Sequence, residues 1–302
     1  MRQKKSMIML IMVLIVLLVV YAALSQWNKK TEEKEAMETV QLVEEDSLST
    51  FRYTDGQTTM SFIKENNIWY YKEDKEIPMS QNTVEHLSQM VTGLTAVREL
   101  KNPDALEDYG LKEPAYTIWY TAGEEDVPVY IGNMTGENYY VSVGDTGKVY
   151  TITNELVQSL KFDLSEMVEH DTVPNISSGN LVKVEVGGNA EDAVYETEDE
   201  LAELAGGFGV LSFTNCADYH VTDDNLGSYG LDEGSRITVS ATYTDADSKD
   251  EQIFTVYIGS EATDGANRYV MKEGSKMVYL VGKEVVSNMT TVGDEDILDS
   301  ST

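Results

Sequence analysis

Three histidines and one cysteine are the side chains of this 302-residue chain best suited to metal or nucleophilic chemistry. His86, His170 and His220 lie far apart, without the H-x-x-H or HExxH spacing that brings two imidazoles to one metal ion. Cys216 stands alone, so neither an intramolecular disulfide nor a Cys-x-x-Cys zinc or redox site can form. It lies in the strand-like stretch SFTNCADY, where no neighbour would lower its pKa, and we expect a buried, unreactive thiol.

Carboxylates would supply the acid–base chemistry of an envelope hydrolase. Such an enzyme would need Asp108 and Asp126 to converge in space with His170, and the sequence contains no motif that brings them together. A G-x-S-x-G nucleophile elbow and a Walker-type lysine loop are both missing. The glycine-rich GGFG at 206–209 lacks both GxGxxG spacing and a preceding strand, so we interpret it as a loop. Hydrolysis is therefore the least favoured hypothesis.

The acidic run DADSKDE at 245–251 has the composition of a calcium loop. Lys249 occupies the fifth ligand position of an EF-hand, and Asp250 stands where glycine is required. We therefore predict a solvated hairpin tip, with weak calcium binding outside the cell as the alternative.

The tripeptide Tyr-Gly-Leu occurs twice, in YGLKEP at 109–114 and in YGLDEG at 229–234. We expect the glycines to turn a corner at positive φ, the leucines to enter the core, and the tyrosines to pack over the corner and hydrogen-bond a backbone group. No acid, base or nucleophile recurs with the motif, since Asp108 aligns with Ser228. The motif is thus predicted to be scaffold, made by Tyr109, Gly110, Leu111, Tyr229, Gly230 and Leu231.

Further landmarks recur in the same order. Measured between first residues, the separations are 120, 127, 129 and 129, and the hairpin TDADSKDEQ at 244–252 accounts for the first increase. Four ordered matches indicate an internal duplication rather than a solenoid. The landmark pairs are Tyr109 with Tyr229, Tyr130 with Tyr257, Tyr139 with Arg268, and Val149 with Val278.

The hydrophobic pattern predicts an α+β fold with two duplicated units, each an antiparallel sheet with one main packed helix. In the first copy, three short strands precede a helix of about 17 residues that extends to Val97, with Asn82 and Glu85 as a capping box. Four alternating strands and a short helix follow. The corresponding helix of the second copy, EDELAELAGGFGVL, is weakened by Gly206 and Gly207.

An uncharged apolar run, MIMLIMVLIVLLVVYAAL, extends over residues 7–24 and is long enough to cross a bilayer. Three basic residues precede it, which places the N-terminus in the cytoplasm and the bulk of the chain outside the cell. The alternative is a cleaved signal peptide ending at Ala23-Leu24-Ser25, but the run exceeds the usual apolar length of such a signal. We predict an uncleaved single-pass anchor in the cell membrane.

The formal net charge of -31 disfavours nucleic acid and anionic lipid surfaces as partners, and its simplest role is solubility. Composition and pattern together predict the following organisation: a cytoplasmic N-terminus (1–6), the anchor (7–24), an acidic linker (25–47), the first α+β unit (48–174), the second (175–292) and an acidic tail (293–302).

The segments YGLKEP, VYIGN and NYYVSV resemble a bacterial family, the domain-of-unknown-function family 4340. The resemblance covers roughly residues 50 to 290 and is looser in the second copy, which lacks the proline of YGLKEP. The anchor and the duplication fit this family as well. Its members are similar to envelope proteins encoded near ABC-transporter and gliding-type auxiliary components. The resemblance therefore implies an association with ABC transporter permease and ATPase subunits, and it brings no catalytic residues.

We expect a non-enzymatic, membrane-anchored accessory or interaction protein without cofactor or metal. The alternative is an extracytoplasmic binding module for a glycan, peptide or cation. That alternative requires a tyrosine-lined groove between the two units that includes Tyr139, Tyr140 and Tyr269.

Overall fold

The computed structural model describes residue 21 and residues 40–123 and 125–293. The predicted anchor at 7–24, apart from residue 21, lies outside the described residues, as do most of the linker and the tail from residue 294. Within the described part of the chain, no helix has the length and apolar composition needed to cross a bilayer.

Groups of strands separated by single α-helices follow one another along the described chain. The strands, in chain order, are β1 (Val40–Gln41), β2 (Thr50–Thr54), β3 (Thr59–Glu65), β4 (Ile68–Tyr71), β5 (Thr95–Ala96), β6 (Arg98–Glu99), β7 (Tyr116–Ala122), β8 (Glu125–Thr135), β9 (Asn138–Val143), β10 (Tyr150–Thr153), β11 (Leu181–Gly188), β12 (Ala193–Tyr195), β13 (Cys216–Asp218), β14 (Ile237–Thr244), β15 (Glu251–Glu261), β16 (Asn267–Lys272) and β17 (Val278–Gly282). The α-helices are α1 (Gln81–Thr92), α2 (Glu155–Ser159), α3 (Glu198–Val210) and α4 (Lys283–Thr290).

The described chain separates into two compact, sheet-rich units. The first comprises residues 40–67 and 82–162, and the second comprises residues 68–81 and 163–293. The division therefore falls 12 residues before the predicted boundary at 174, and the segment 68–81 joins the second unit.

Backbone contacts join residues 78–80 of the segment 68–81 to the second unit. Met79 forms an isolated antiparallel bridge with Val168. The amide of Ser80 donates to the carbonyl of Met167 at 2.8 Å. Contacts between distant residues of this kind leave no local pattern in the sequence, which is why the hydrophobic pattern groups 68–81 with the first repeat.

The two units share one strand order. Of the eight strands of the first sheet, the seven from β3 to β6 run β3-β2-β7-β8-β9-β10-β6; the seven strands of the second sheet run β12-β11-β14-β15-β16-β17-β13. All these neighbours are antiparallel. Each of these seven positions thus has a counterpart in the other sheet, and the duplication inferred from the landmarks is confirmed in three dimensions.

Alternating apolar residues of the strands form a core in each unit, as period-two patterning requires. In the first unit, Ile118 and Ile131 are fully buried, and the buried Tyr53 donates from its hydroxyl to the carbonyl of Lys161 at 2.7 Å. In the second, the matching residues Val239 and Ile258 are fully buried. The same strand positions therefore build both cores.

Helix α1 is shorter than predicted. It ends at Thr92, and Leu94 lies beyond it in the short connection to β5, although its side chain is buried. The predicted capping box is also wrong, because Asn82 lies inside the helix and not before it. A capping box does form in the second unit, between Thr197 and Glu200 at the start of α3.

Helix α3 continues through Gly206 and Gly207, so the predicted GGFG loop is wrong. The reason is a close helix–helix contact. A Cβ atom on Gly207 would lie 2.6 Å from the carbonyl oxygen of Asn288 and 2.7 Å from Cγ of Met289, both in α4. The glycine that weakens the isolated helix is thus the residue that lets α4 approach it.

Candidate functional site

The repeated Tyr-Gly-Leu motif forms the same corner in both units. A 3₁₀ turn precedes each glycine, and the glycine closes it in the left-handed region, at φ 71° for Gly110 and φ 64° for Gly230. The next residues, Leu111 and Leu231, are buried. The predicted positive φ and the predicted entry of the leucines into the core are both confirmed.

A second landmark, the glycine of Tyr-Ile-Gly, packs directly on this corner. A Cβ atom on Gly132 would lie 2.2 Å from the carbonyl oxygen of Tyr109, and one on Gly259 would lie 2.1 Å from that of Tyr229. The two landmarks therefore recur together because each needs the other. Both motifs are evident in the sequence, but their contact is not. The only sign of the contact in the sequence is that the two motifs recur together.

The corner tyrosines pack on a strand of their own unit. The ring of Tyr109 lies 4.8 Å from that of Tyr140, and the ring of Tyr229 lies 5.0 Å from that of Tyr269, both nearly edge to face. The hydroxyl of Tyr109 accepts the backbone N–H of Asp104 at 3.0 Å, as predicted for a backbone partner. These contacts account for the recurrence of both tyrosine pairs.

The partner of the Tyr229 hydroxyl differs from the prediction. It is a side chain, Oδ2 of Asp218, which accepts at 2.8 Å. Burial, followed by this carboxylate, raises the pKa of Tyr229 to about 12. The carboxylate comes from β13, which lies 11 residues before the landmark and outside the repeated motif.

The three tyrosines predicted to face a ligand take two different positions. Tyr140 and Tyr269 occupy equivalent strand positions and contact the corner of their own unit. Tyr139 pairs across strands with Met134, whose side chain is 62% exposed. Their role toward a ligand remains a prediction.

The two acids of the hydrolase hypothesis, Asp108 and Asp126, do not lie close together. Asp126 begins β8, whereas Asp108 precedes the corner that packs on Gly132, six residues further along the strand. At about 3.3 Å per residue, the two acids lie roughly 20 Å apart along the strand. His170 belongs to the second unit, where its Nε2 lies 2.9 Å from the carbonyl oxygen of Ser165.

The family model described as Domain of unknown function (DUF4340) matches residues 69–207 and 198–299. The chain belongs to this family. The two matched segments correspond to the two copies of the duplication, which confirms the resemblance noted from the sequence. No curated protein and no solved structure matches the chain.

The second unit of this DUF4340 protein contains a polar cluster around Asp171. Its Oδ2 accepts from the hydroxyl of Ser275 at 2.5 Å and from that of Tyr279 at 3.1 Å. The amide of Asp171 in turn donates to the Tyr279 hydroxyl at 2.9 Å. Lys272 lies 3.6 Å from Oδ1. The carboxylate is thus enclosed by groups that hold residue 171 against β17, a structural role.

Tyr279→Phe is expected to lower the free energy of unfolding by about 1–3 kcal/mol, because it removes the partner of a part-buried N–H and of a carboxylate. Tyr150→Phe, at the matching position of the first unit, is the control, and we expect a change within about 0.5 kcal/mol. Denaturant titration of the full-length protein in mild detergent measures both. Equal losses would contradict a bracing role for the Asp171 cluster.

Cys216 begins strand β13 and is half-buried rather than fully buried as predicted. Its Sγ donates to the carbonyls of Asp218 at 3.1 Å and Val278 at 3.4 Å. Burial raises the pKa of the thiol to about 12. Because the thiolate is the nucleophile, almost none of the reactive form exists at neutral pH.

We expect Cys216 to react with a disulfide reagent at pH 8 at least about 100-fold more slowly in the native protein than in the same chain in denaturant. The rate in the native protein should keep rising up to about pH 12, since the folded state retains the thiol proton to that pH. Absorbance kinetics measure both rates. A native rate equal to the denatured rate would show an accessible thiolate.

The acidic loop 245–250 is a hairpin tip ordered by its first residue. Oδ1 of Asp245 accepts the amides of Asp247 at 3.0 Å and Ser248 at 2.8 Å. These two hydrogen bonds, that of Ser248 being the stronger, lower the pKa of Asp245. In the described residues, no three histidine, cysteine or acidic side chains are grouped for a metal ion.

Proposed function

We propose that this DUF4340 protein is a non-enzymatic accessory subunit of a membrane assembly, anchored by residues 7–24 and carrying its two units outside the cell. The apolar run with basic residues before it supports the anchor and its orientation. The family resemblance noted in the sequence supports an ABC-type transporter as the assembly. Under this proposal the two units are binding surfaces for other subunits.

The observation that carries the proposal is that the two units have the same backbone arrangement but carry different exposed side chains at equivalent positions. Met134 and Tyr139 pair just after a bulge in the β8–β9 hairpin. Glu261 and Arg268 pair just after the matching bulge in the β15–β16 hairpin. Beside the turn of this hairpin, the first unit therefore presents an apolar pair where the second presents a charged pair.

Both charged residues, Glu261 and Arg268, make contacts within their own unit. Glu261 lies 2.6 Å from Nζ of Lys283. The guanidinium of Arg268 donates twice to the carbonyl of Gly259, at 2.6 and 3.0 Å. Met134, by contrast, leaves most of its side chain in solvent. Methionine is a flexible apolar residue that recurs at protein-binding surfaces, so an exposed one beside a hairpin turn supports a contact with another protein.

The polar clusters of the second unit also favour a scaffold role. The carboxylates of Asp171 and Asp218 each accept hydrogen bonds that fasten a neighbouring strand or corner. Carboxylates engaged in this way hold neighbouring groups in place and so stabilise the fold.

A crosslinked pull-down of the full-length protein from its native membrane tests the proposal. We expect transporter permease and ATPase subunits in fixed proportion, identified by mass spectrometry. Met134→Glu, which copies the second unit, should reduce their recovery several-fold, whereas Glu261→Gln should not. Recovery of the protein alone would overturn the proposal and favour a binding module for a glycan, peptide or cation.

A further inference from the structure

One edge of the first unit's sheet is formed by β6. Its neighbours in the sequence pair on one side only: the amide of Val97 donates to the carbonyl of Thr151 at 2.7 Å, and that of Leu100 donates to Val149 at 2.9 Å. On the other side, the described residues of β1 pair with β5. In the described part of the chain, no strand pairs with the outer side of β6.

A cleft of about 460 Å³ follows this edge from Val40 to Pro103. Arg98 and Lys101 line it, in a protein with only 22 basic residues against 53 acidic ones. Among the residues that the structure describes, neither makes an ion pair. The one acid of the strand, Glu99, lies 3.9 Å from Nζ of Lys148. The cleft is therefore a basic site on an acidic protein.

A second cleft, of about 350 Å³, shares Val97 with the first. Its lining includes the apolar residues Met90, Leu94 and Leu156, together with polar ones such as His86 and Glu155. Val97 itself is 50% exposed, although it is a β-branched apolar residue beside a sheet edge. One cleft thus suits acidic side chains, and the other suits apolar ones.

We propose that residues 97–101 bind an extended, acidic segment of a partner protein by strand addition. Backbone hydrogen bonds to a free edge supply affinity, and pockets for alternate side chains supply specificity. Acidic side chains of the added strand meet Arg98 and Lys101, and apolar ones meet the Met90 cleft. This inference rests on the proposed function, because it names the chemistry of the partner segment in the assembly.

The matching edge of the second unit is built differently. Strand β13 contains Cys216 and Asp218, and the carboxylate of Asp218 is held by the Tyr229 hydroxyl and by the amide of His220, which donates at 2.9 Å. No basic residue lies in β13. Ala217, the exposed residue at its centre, therefore provides a matched control position.

The test uses a benzophenone amino acid at position 97 of the full-length protein, irradiated in its native membrane, with the same group at position 217 as the control. We expect a crosslink from position 97 to an acidic stretch of another polypeptide, and at least five-fold less from position 217. Arg98→Glu with Lys101→Glu should reduce the first crosslink at least five-fold. Lys72→Glu with Lys249→Glu, two exposed lysines of the second unit, should leave it unchanged.

Each other outcome overturns the proposal. A crosslink within the same chain, no crosslink, or one that resists charge reversal would each exclude an acidic partner strand, provided that hydrogen exchange shows the variants folded. If transporter subunits co-purify but position 97 captures no partner, the edge proposal fails and the proposed function stands. If position 97 captures an acidic strand of a protein outside any transporter, the edge proposal stands and the proposed function fails.

Discussion

Gly259→Ala and Gly132→Ala will each lower the free energy of unfolding by about 3 kcal/mol or more, the largest effects expected for single methyl groups in this protein. The added Cβ would lie 2.1 Å from the carbonyl oxygen of Tyr229 in one unit and 2.2 Å from that of Tyr109 in the other. Both partners are backbone atoms of a tight corner, so no rotamer change relieves the contact. The strand must move away from the corner or the corner must open.

Denaturant titration of the full-length protein in mild detergent measures the loss, and hydrogen exchange locates it. Protection should fall in the β8 corner for Gly132→Ala and in the β15 corner for Gly259→Ala. Gly234→Ala is the control, because its nearest atom, Oδ1 of Asp232, would lie at an ordinary 3.6 Å. A Gly259→Ala protein as stable as the Gly234→Ala protein would mean that the two landmarks do not pack on each other.

Neighbouring glycines of helix α3 should respond to alanine with opposite signs. Gly206→Ala is expected to stabilise the protein by about 0.5–1 kcal/mol, since alanine is the better helix former and no atom lies within 4 Å of the added Cβ. Gly207→Ala is expected to destabilise it by about 2–3 kcal/mol, because the added Cβ would meet the backbone of Asn288 at 2.5 Å. The gain in helix propensity is smaller than the cost of separating α3 from α4.

The same titration applied to both variants decides the point, and each variant is the other's control. Their helix propensities change equally, so any difference in stability comes from the contact with α4. Two stabilising substitutions would show that the helices do not touch at Gly207. Two destabilising ones would show that α3 does not tolerate alanine for a reason other than this contact.

Local patterns predicted the elements of this protein well where the cause is local. Strands β7 to β10 follow from alternation of apolar and polar residues, and the corner at Gly110 follows from a glycine between a short turn and a strand. Cys216 was expected to be inert because nothing near it in the sequence activates a thiol, and its neighbours in space raise its pKa further.

Predictions failed where a distant residue decides the outcome. Helix propensity argues against α3 at Gly206 and Gly207, but burial against α4 outweighs it. Periodicity extends α1 to Val97, but Thr95 and Ala96 pair with β1 instead. The favourable contact comes from a segment about 80 residues away for α3 and about 55 residues away for β5, and a pattern read over a short window of sequence does not include either.

The sequence by itself determined the duplication, the antiparallel α+β class and the scaffold role of the Tyr-Gly-Leu corners. A repeat can be recognised by comparing the sequence with itself, and short-range steric preferences depend on residues that are neighbours in the chain. Only the tertiary structure decided that Gly132 and Gly259 pack on those corners, that residues 68–81 group with the second unit, and that no described strand covers the edge at Arg98 and Lys101. The physical reason is that packing and exposure depend on which distant segments of the chain meet. A close contact between two backbones involves no side chain by which it could be recognised in the sequence.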